Sequence, residues 1–356
     1  MIMTKMWDIR NLLRPHLKQL RPYSSARHEY AGNVGIFLDA NENPYGSVHG
    51  EKHHRYPDPG QHQLKEVIAD IKGISTPHIF MGNGSDEAID LLIRAFCEPG
   101  KDHILVTPPT YGMYRVSADI NDVRIAEATL TEDYQLDMLM MLHALQDNPK
   151  IVFLCSPNNP TGNLLELEDI EEILEKATGL VVVDEAYIDF ASRPSLIQSA
   201  LEDHPNLVIL QTFSKAWGLA NIRLGMAFAS PVLINILNQI KPPYNVNGIT
   251  QEVALKALSH VEEKDKVVAD IIEQREWLTE ELAQLPMVKH VFPSDANFLL
   301  VKVDEPDTLY QKLIEEKIIV RNRSKLAQCE GCLRITVGSE EENQALITSL
   351  QKLSYV

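Results

Sequence analysis

An α/β architecture, with a sheet buried between helices and a smaller α+β unit behind it, is the fold class this sequence predicts. Three observations carry the prediction. From residue 79 onward, short β-branched runs alternate with longer amphipathic ones. Several of the short runs are apolar throughout, as strands are when helices cover both faces of their sheet. Beyond residue 250 the pattern changes to a long helical stretch and then to a mixed strand–helix tail.

In chain order, strands are expected at His103–Val106, Ile151–Cys155, Leu180–Asp184, Leu207–Thr212 and Leu224–Phe228. Between them Asp86–Phe96 and Glu168–Lys176 read as helices, and a helical region runs from about Thr250 to Leu285. The tail reads as strand Asn297–Val303, helix Asp307–Glu316, strands Ile318–Val320 and Cys332–Val337, and helix Glu340–Leu353. Ser339 is the expected N-cap of that last helix, with Glu342 completing a capping box. Residues 1–45 are too short to fold alone and are expected to dock on the small unit. The division is therefore a large domain, 46–285, and a small one made of 1–45 and 286–356.

The 356 residues suit two domains, and a formal net charge of −17 argues against nucleic acid or an anionic membrane as the main partner. An anionic small substrate stays open, because a local arginine cluster overrides the global field. The run Met1–Asp8 lacks the uninterrupted apolar core of a secretory signal. No apolar run approaches the roughly 20 residues a membrane helix needs, so the cytoplasm is the expected compartment. Of the four cysteines, Cys329 and Cys332 form a CxxC with no second pair or histidine partner, so no metal or redox role is expected.

The chemistry concentrates in Thr212-Phe213-Ser214-Lys215-Ala216-Trp217-Gly218-Leu219-Ala220-Asn221-Ile222-Arg223-Leu224-Gly225. A lysine follows a buried strand through two hydroxyl residues, and an arginine follows eight residues later. This suits an amine that forms a Schiff base with an aldehyde cofactor while hydroxyls and a guanidinium hold a phosphate. Asp184, in Val183-Asp184-Glu185-Ala186-Tyr187, ends an apolar strand where α/β sheets place ligands, and could keep a pyridine nitrogen protonated. Tyr187 and Asn159, the latter in the Pro-rich turn Ser156–Gly162, could reach a phenolic oxygen. Met81-Gly82-Asn83-Gly84-Ser85-Asp86 is a Gly-rich turn opening a helix, with Ser85 as its expected N-cap and free N–H groups for an anion. It lacks the lysine of an ATP-binding loop. Tyr111, after the strand at 103–106, could stack on a planar ring.

In order and spacing these runs resemble the aspartate-aminotransferase-like, fold-type I family of pyridoxal-phosphate enzymes over nearly the whole chain. Asp39–Gly46, Arg55–Asp58, Pro108–Tyr114 and Cys332–Gly338 add to the likeness. Within that family the nearer likeness is to the branch that exchanges an amino group between L-histidinol phosphate and 2-oxoglutarate, with glutamate as the other amine. The resemblance implies a mostly parallel seven-stranded sheet, pyridoxal 5′-phosphate as cofactor, and a homodimer with shared active sites. It implies that Lys215 carries the cofactor and shuttles the proton, that Asp184 pairs with the ring nitrogen, and that Asn159 and Tyr187 bind the phenolic oxygen. Tyr111 would stack on the ring. Ser85, Asp86 (through its N–H), Thr212, Ser214 and Arg223 would surround the phosphate, and Tyr56 would reach across from the partner. Tyr23, Asn41, Tyr244, Arg321 and Arg334 would face the substrate.

One departure stands out: Asn221 occupies a position where the family usually has Gly, and Asn tolerates left-handed backbone better than other side chains. Other readings within the same fold are an aromatic amino-acid aminotransferase and a phosphothreonine decarboxylase. A non-catalytic, cofactor-binding regulator fits less well, because the residues before the first strand are neither basic enough nor long enough for an attached DNA-binding domain.

Overall fold

A computed structural model describes residues 8–23, 35–50 and 53–354. Met1–Trp7, on which the signal-peptide reading rests, and 24–34 of the N-terminal segment lie outside the described residues. The large sheet has seven strands: β1 (Ile79–Asn83), β2 (His103–Val106), β3 (Arg124–Glu127), β4 (Ile151–Cys155), β5 (Leu180–Asp184), β6 (Leu207–Thr212) and β7 (Leu224–Ala229). Their order is β1-β7-β6-β5-β4-β2-β3, parallel except that β7 runs against both of its neighbours.

The all-apolar strands explain themselves by alternation. Leu105, Val152, Val181 and Ile209 point into one buried layer, while Ile104, Ile151, Val182 and Val208 point into the other. Helices cover both layers, Gly84–Phe96 and Pro231–Ile240 on one side and His62–Lys72 and Leu167–Lys176 on the other. Two strands escaped the sequence reading. β3 is an edge strand with no fully buried residue, and β1 carries Met81-Gly82-Asn83, which reads as a turn.

The helical region expected over 250–285 is two helices, Gly248–Leu258 and Val261–Ala283, broken at Ser259 and His260. The second helix leads into an antiparallel sheet of β8 (Val288–Val291), β9 (Phe298–Val303), β10 (Arg321–Asn322) and β11 (Cys332–Thr336), ordered β10-β11-β9-β8. Leu278 and Leu282 of that helix share a core with Leu299, Val301, Leu313 and Ile347. The strand expected at 318–320 is absent: Ile318 and Val320 pack against this core as irregular chain, and pairing with β11 begins only at Arg321. The final helix, Glu340–Ser354, has the expected capping box. Ser339 N–H donates to Glu342 Oε2 (2.8 Å) and Glu342 N–H to Ser339 Oγ (3.3 Å).

The first described residues of the N-terminal segment pack on the large sheet's helices and not on the small unit. Ile9 and Leu13 are buried in the layer that holds Phe96 and Leu233, and Arg14 N–H donates to Ala95 O (3.0 Å). Apolar area on the large sheet's helices captures it. Among the described residues no helix is long and apolar enough to cross a membrane.

Candidate active site

The carboxyl ends of β4, β5 and β6 deliver Cys155, Asp184 and Thr212 to one cleft, the usual ligand position of such a sheet. Ten of the eleven residues expected on the cofactor line it, Ser85, Asp86, Tyr111, Asn159, Asp184, Tyr187, Thr212, Ser214, Lys215 and Arg223, and the eleventh, Tyr56, does not. The connection after β6 carries three of them. Thr212 Oγ1 accepts from Ser214 N–H (3.1 Å), folding the chain back so that Lys215 points inward. Lys215 Nζ lies 5.3 Å from the centre of the Tyr187 ring. Burial lowers its pKa, with the charges of Arg334 and Arg223 adding to the effect and Asp184 and Asp86 opposing it.

At the other side, helix Gly84–Phe96 begins against Arg223, whose carbonyl accepts from Gly84 N–H (2.6 Å). The expected cap is corrected here: Ser85 already lies in the first turn, the N-cap is Asn83, and no side chain caps it. Gly84, at φ +69°, makes the turn, and Glu87 Oε2 instead accepts from Asn83 N–H (2.5 Å). Gly225 is required for this approach, because a Cβ there would lie 2.1 Å from Ser85 N. Arg223 Nη1 donates to Ser214 Oγ (3.3 Å) and Nη2 to Asp86 Oδ2 (3.4 Å). The left-handed geometry falls on Arg223 itself, at φ +52°, whereas Asn221 sits in a short 3-10 turn with negative φ.

Asp184 is buried, and burial pushes its carboxyl up to about 6 against the opposing pull of hydrogen bonds from Tyr114 and Ala186 N–H. Tyr114 OH donates to Asp184 Oδ2 at 2.7 Å, and its ring stacks on Phe153 (4.6 Å between centres). Tyr114 was quoted in the sequence without a role. Its ring meets that of Tyr111, which lies just before the helix that begins at Met113, edge to face at 5.5 Å. Tyr111 OH in turn donates to Asp86 Oδ1 (3.0 Å).

Asn159 links the large sheet's cleft to the small sheet. Its Nδ2 donates to Tyr187 OH (3.2 Å), and its Oδ1 accepts from Arg334 Nη1 (2.6 Å). Phe298 is a second missed residue: Tyr187 meets it edge-on (5.1 Å) and the Arg334 guanidinium lies 5.2 Å from its ring centre. Arg321 and Arg334 face each other as Cα partners across β10 and β11, Arg321 exposed and Arg334 partly buried with its Nε unpaired.

Five expected residues are not brought to this cleft: Tyr23, Asn41 and Arg321, which are exposed, and Tyr56 and Tyr244. Tyr56 and Tyr244 stack on one another at 4.5 Å and an interplanar angle of 17°, outside the cleft of their own chain. Glu42, unremarked in the sequence, holds Tyr56 by accepting from its N–H (2.7 Å) and from Arg55 (2.5 Å).

An inward-facing lysine, a buried carboxylate and an anion cradle on a mostly parallel sheet recur across a large class of group-transfer enzymes, and the chain's likenesses place it there. A family model, Aminotransferase class I and II, matches residues 36–350, and the chain belongs to that family. A relative from Cytophaga hutchinsonii, named histidinol-phosphate aminotransferase, is 54% identical over 97% of this chain and 99% of its own length. A relative of the same name from Bacteroides thetaiotaomicron is 50% identical over 98% and 99%. In fold, the chain is similar to a solved histidinol-phosphate aminotransferase from Sinorhizobium meliloti in complex with pyridoxal-5′-phosphate. That likeness has a TM-score of 0.79 at 23% identity and covers 96% of this chain and 97% of that one.

Proposed function

We propose that this chain is a histidinol-phosphate aminotransferase, a pyridoxal-phosphate enzyme that reversibly exchanges an amino group between L-histidinol phosphate and 2-oxoglutarate in histidine biosynthesis. The observation that carries the reading is the convergence of nine separately expected side chains around Lys215, in a chain 54% identical to a relative of that name.

The donor set fits the cofactor at both ends. A helix N-terminus, two hydroxyls and Arg223 suit a phosphate, and Asp184, a buried carboxylate with no cation hydrogen-bonded to it, suits a protonated ring nitrogen. When bound, pyridoxal 5′-phosphate supplies an electron sink for the substrate's α-carbon. Ser85 N–H, Asp86 N–H, Thr212, Ser214 and Arg223 hold its phosphate, and Tyr111 covers its ring. Asn159 and Tyr187 donate to its phenolic oxygen, while Asp184 keeps the proton on its nitrogen. Lys215 Nζ would hold the cofactor's aldehyde end and, once displaced from it by the substrate's amine, would take and return the proton of the substrate's α-carbon. The lowered pKa of Lys215 favours the neutral amine a general base requires. Arg334, fixed by Asn159, takes in turn a carboxylate of glutamate and the phosphate of histidinol phosphate, and Arg321 adds a second guanidinium for the phosphate.

The chain works as a cytoplasmic homodimer in which the stacked Tyr56 and Tyr244, unable to reach their own cleft, enter the partner's. Tyr23 and Asn41 belong to the substrate side of the assembled site. The deciding experiment follows the cofactor's absorption when glutamate is added to the purified holoenzyme. Conversion to the amine form, reversed by imidazole-acetol phosphate, is expected. Release of carbon dioxide from a phosphorylated amino acid would replace this reading with a decarboxylase.

A further inference from the structure

Lys241 lies outside the cleft, yet it sits where three parts of the molecule meet. Its ammonium donates to Pro59 O (3.1 Å), Pro243 O (3.1 Å) and Asn245 Oδ1 (2.9 Å), a full set of acceptors for three protons. Pro59 follows Tyr56 by three residues and Pro243 immediately precedes Tyr244. One charged group therefore clips together the two loops that carry the stacked ring pair. Gln251 repeats the clip from helix Gly248–Leu258, donating to Asp58 O (3.2 Å) and Val246 O (3.0 Å).

Asn245 extends the connection inward. Its Nδ2 donates to Met81 O (2.9 Å) and to Glu87 Oε2 (3.2 Å), and its carbonyl oxygen accepts from Asn83 Nδ2 (2.7 Å). Glu87 is the carboxylate that closes the turn at the start of helix Gly84–Phe96, the turn that presents Ser85 N–H. A continuous set of hydrogen bonds thus runs from the loops that carry the ring pair to the anion-binding turn of the same chain.

We propose that Lys241 and Asn245 form a positioning unit, which sets the Tyr56–Tyr244 pair and the start of helix Gly84–Phe96 as one piece. The inference rests on the shared-site reading above, by which the ring pair serves the partner's cleft. Its consequence is a division of labour within one network. Lys241 acts in trans, through the rings it lends to the partner, and Asn245 acts also in cis, through the phosphate-binding turn. Neither residue touches substrate or cofactor.

The test uses full-length holoenzyme and tagged heterodimers. Lys241→Met is expected to raise KM for histidinol phosphate at least tenfold with a smaller change in kcat and with cofactor retained, and Lys241→Arg to recover most of the loss. In a heterodimer of Lys241→Met with Lys215→Ala, the single working lysine sits in the Lys241→Met subunit and receives its rings from a subunit with Lys241 intact. That site should show near-native KM. A KM as high as in the Lys241→Met homodimer would overturn the trans assignment, and a native KM in the homodimer would overturn the role altogether. Should Lys241→Met fail to fold, Lys241→Gln serves with the same outcomes.

Asn245→Leu should weaken pyridoxal-phosphate binding several-fold in the subunit that carries it, and native affinity there would overturn the cis link. A parallel mixture of Tyr56→Ala with Lys215→Ala separates the two ideas. Recovery there without recovery in the Lys241 mixture sinks only the positioning unit, whereas no recovery in the Tyr56 mixture sinks the shared site itself.

Discussion

Lys215 and Asp184 divide the cleft's electrostatics between them. Lys215→Ala should reduce turnover by a factor of at least about 10³, at the upper part of what a positioned proton carrier supplies, while the cofactor stays bound non-covalently through Arg223 and the hydroxyls. Borohydride reduction of native enzyme and peptide mapping checks the assignment, since a label on any other lysine would refute it. For Asp184 the sign follows from its raised pKa. Its folded value of about 6 exceeds the ordinary 3.8, so between those pH values the folded apoprotein holds a proton that the unfolded chain releases. This contribution to stability is present below about pH 4 and is lost as pH rises through 6. Asp184→Asn should therefore gain about 1–3 kcal/mol over native apoprotein at pH 7 and little at pH 4, read from melting at both values. Equal differences at the two pH values would contradict it. Arg334→Ala should impair both substrates, because it also releases Asn159. Arg321→Ala, exposed at the edge of the small sheet, should raise KM for histidinol phosphate far more than for glutamate.

Among the elements, those buried on both faces were the legible ones. β4, β5 and β6 have the bounds their apolar runs suggest, since an apolar run stops where cover by helices stops. β3 and β1 were not legible: an edge strand alternates too weakly, and a strand ending in Gly-Asn at a ligand turn looks like a loop. The two-residue β10 has no pattern to read, and its position comes only from pairing with β11. In the cleft, residues tied to strand ends and turns could be read, whereas Tyr114 and Phe298 could not. Their roles come from partners distant in sequence, Asp184 and Tyr187. Two element-scale predictions follow from close geometry. Gly225→Ala would drive a methyl into Ser85 N and should weaken cofactor affinity as well as costing about 1–3 kcal/mol of stability, measured by cofactor titration and melting. Ser339→Ala should cost about 1 kcal/mol through the lost cap and leave kcat unchanged.

At the scale of the whole molecule, an acidic chain encloses a basic centre. The net charge of −17 coexists with Lys215, Arg223 and Arg334 around one cleft. The small sheet reaches that centre through Arg334 of β11 and Phe298 of β9, and it joins the large unit a second time where Leu300 and Cys332 share a core with Leu130 and Tyr134. Mixing Tyr56→Ala and Lys215→Ala subunits, each inactive alone, should restore up to about one working site per heterodimer under the shared-site reading. An active, stable monomer in sedimentation would contradict it.

The reversed direction of β7 has a consequence for how this sequence can change. Because β7 runs back alongside β6, Lys215 and Arg223 hang on a single short bridge between two adjacent strands, and the bridge acts as a ruler between amine and phosphate. Lengthening residues 216–222 by one would misplace one end relative to the other without harming either strand. An added residue in the connection 191–205, which spans no such pair, should be absorbed. Drift in length is therefore expected to be tolerated in one loop of this enzyme and lethal to its activity in the other, although both lie at the ends of the same sheet.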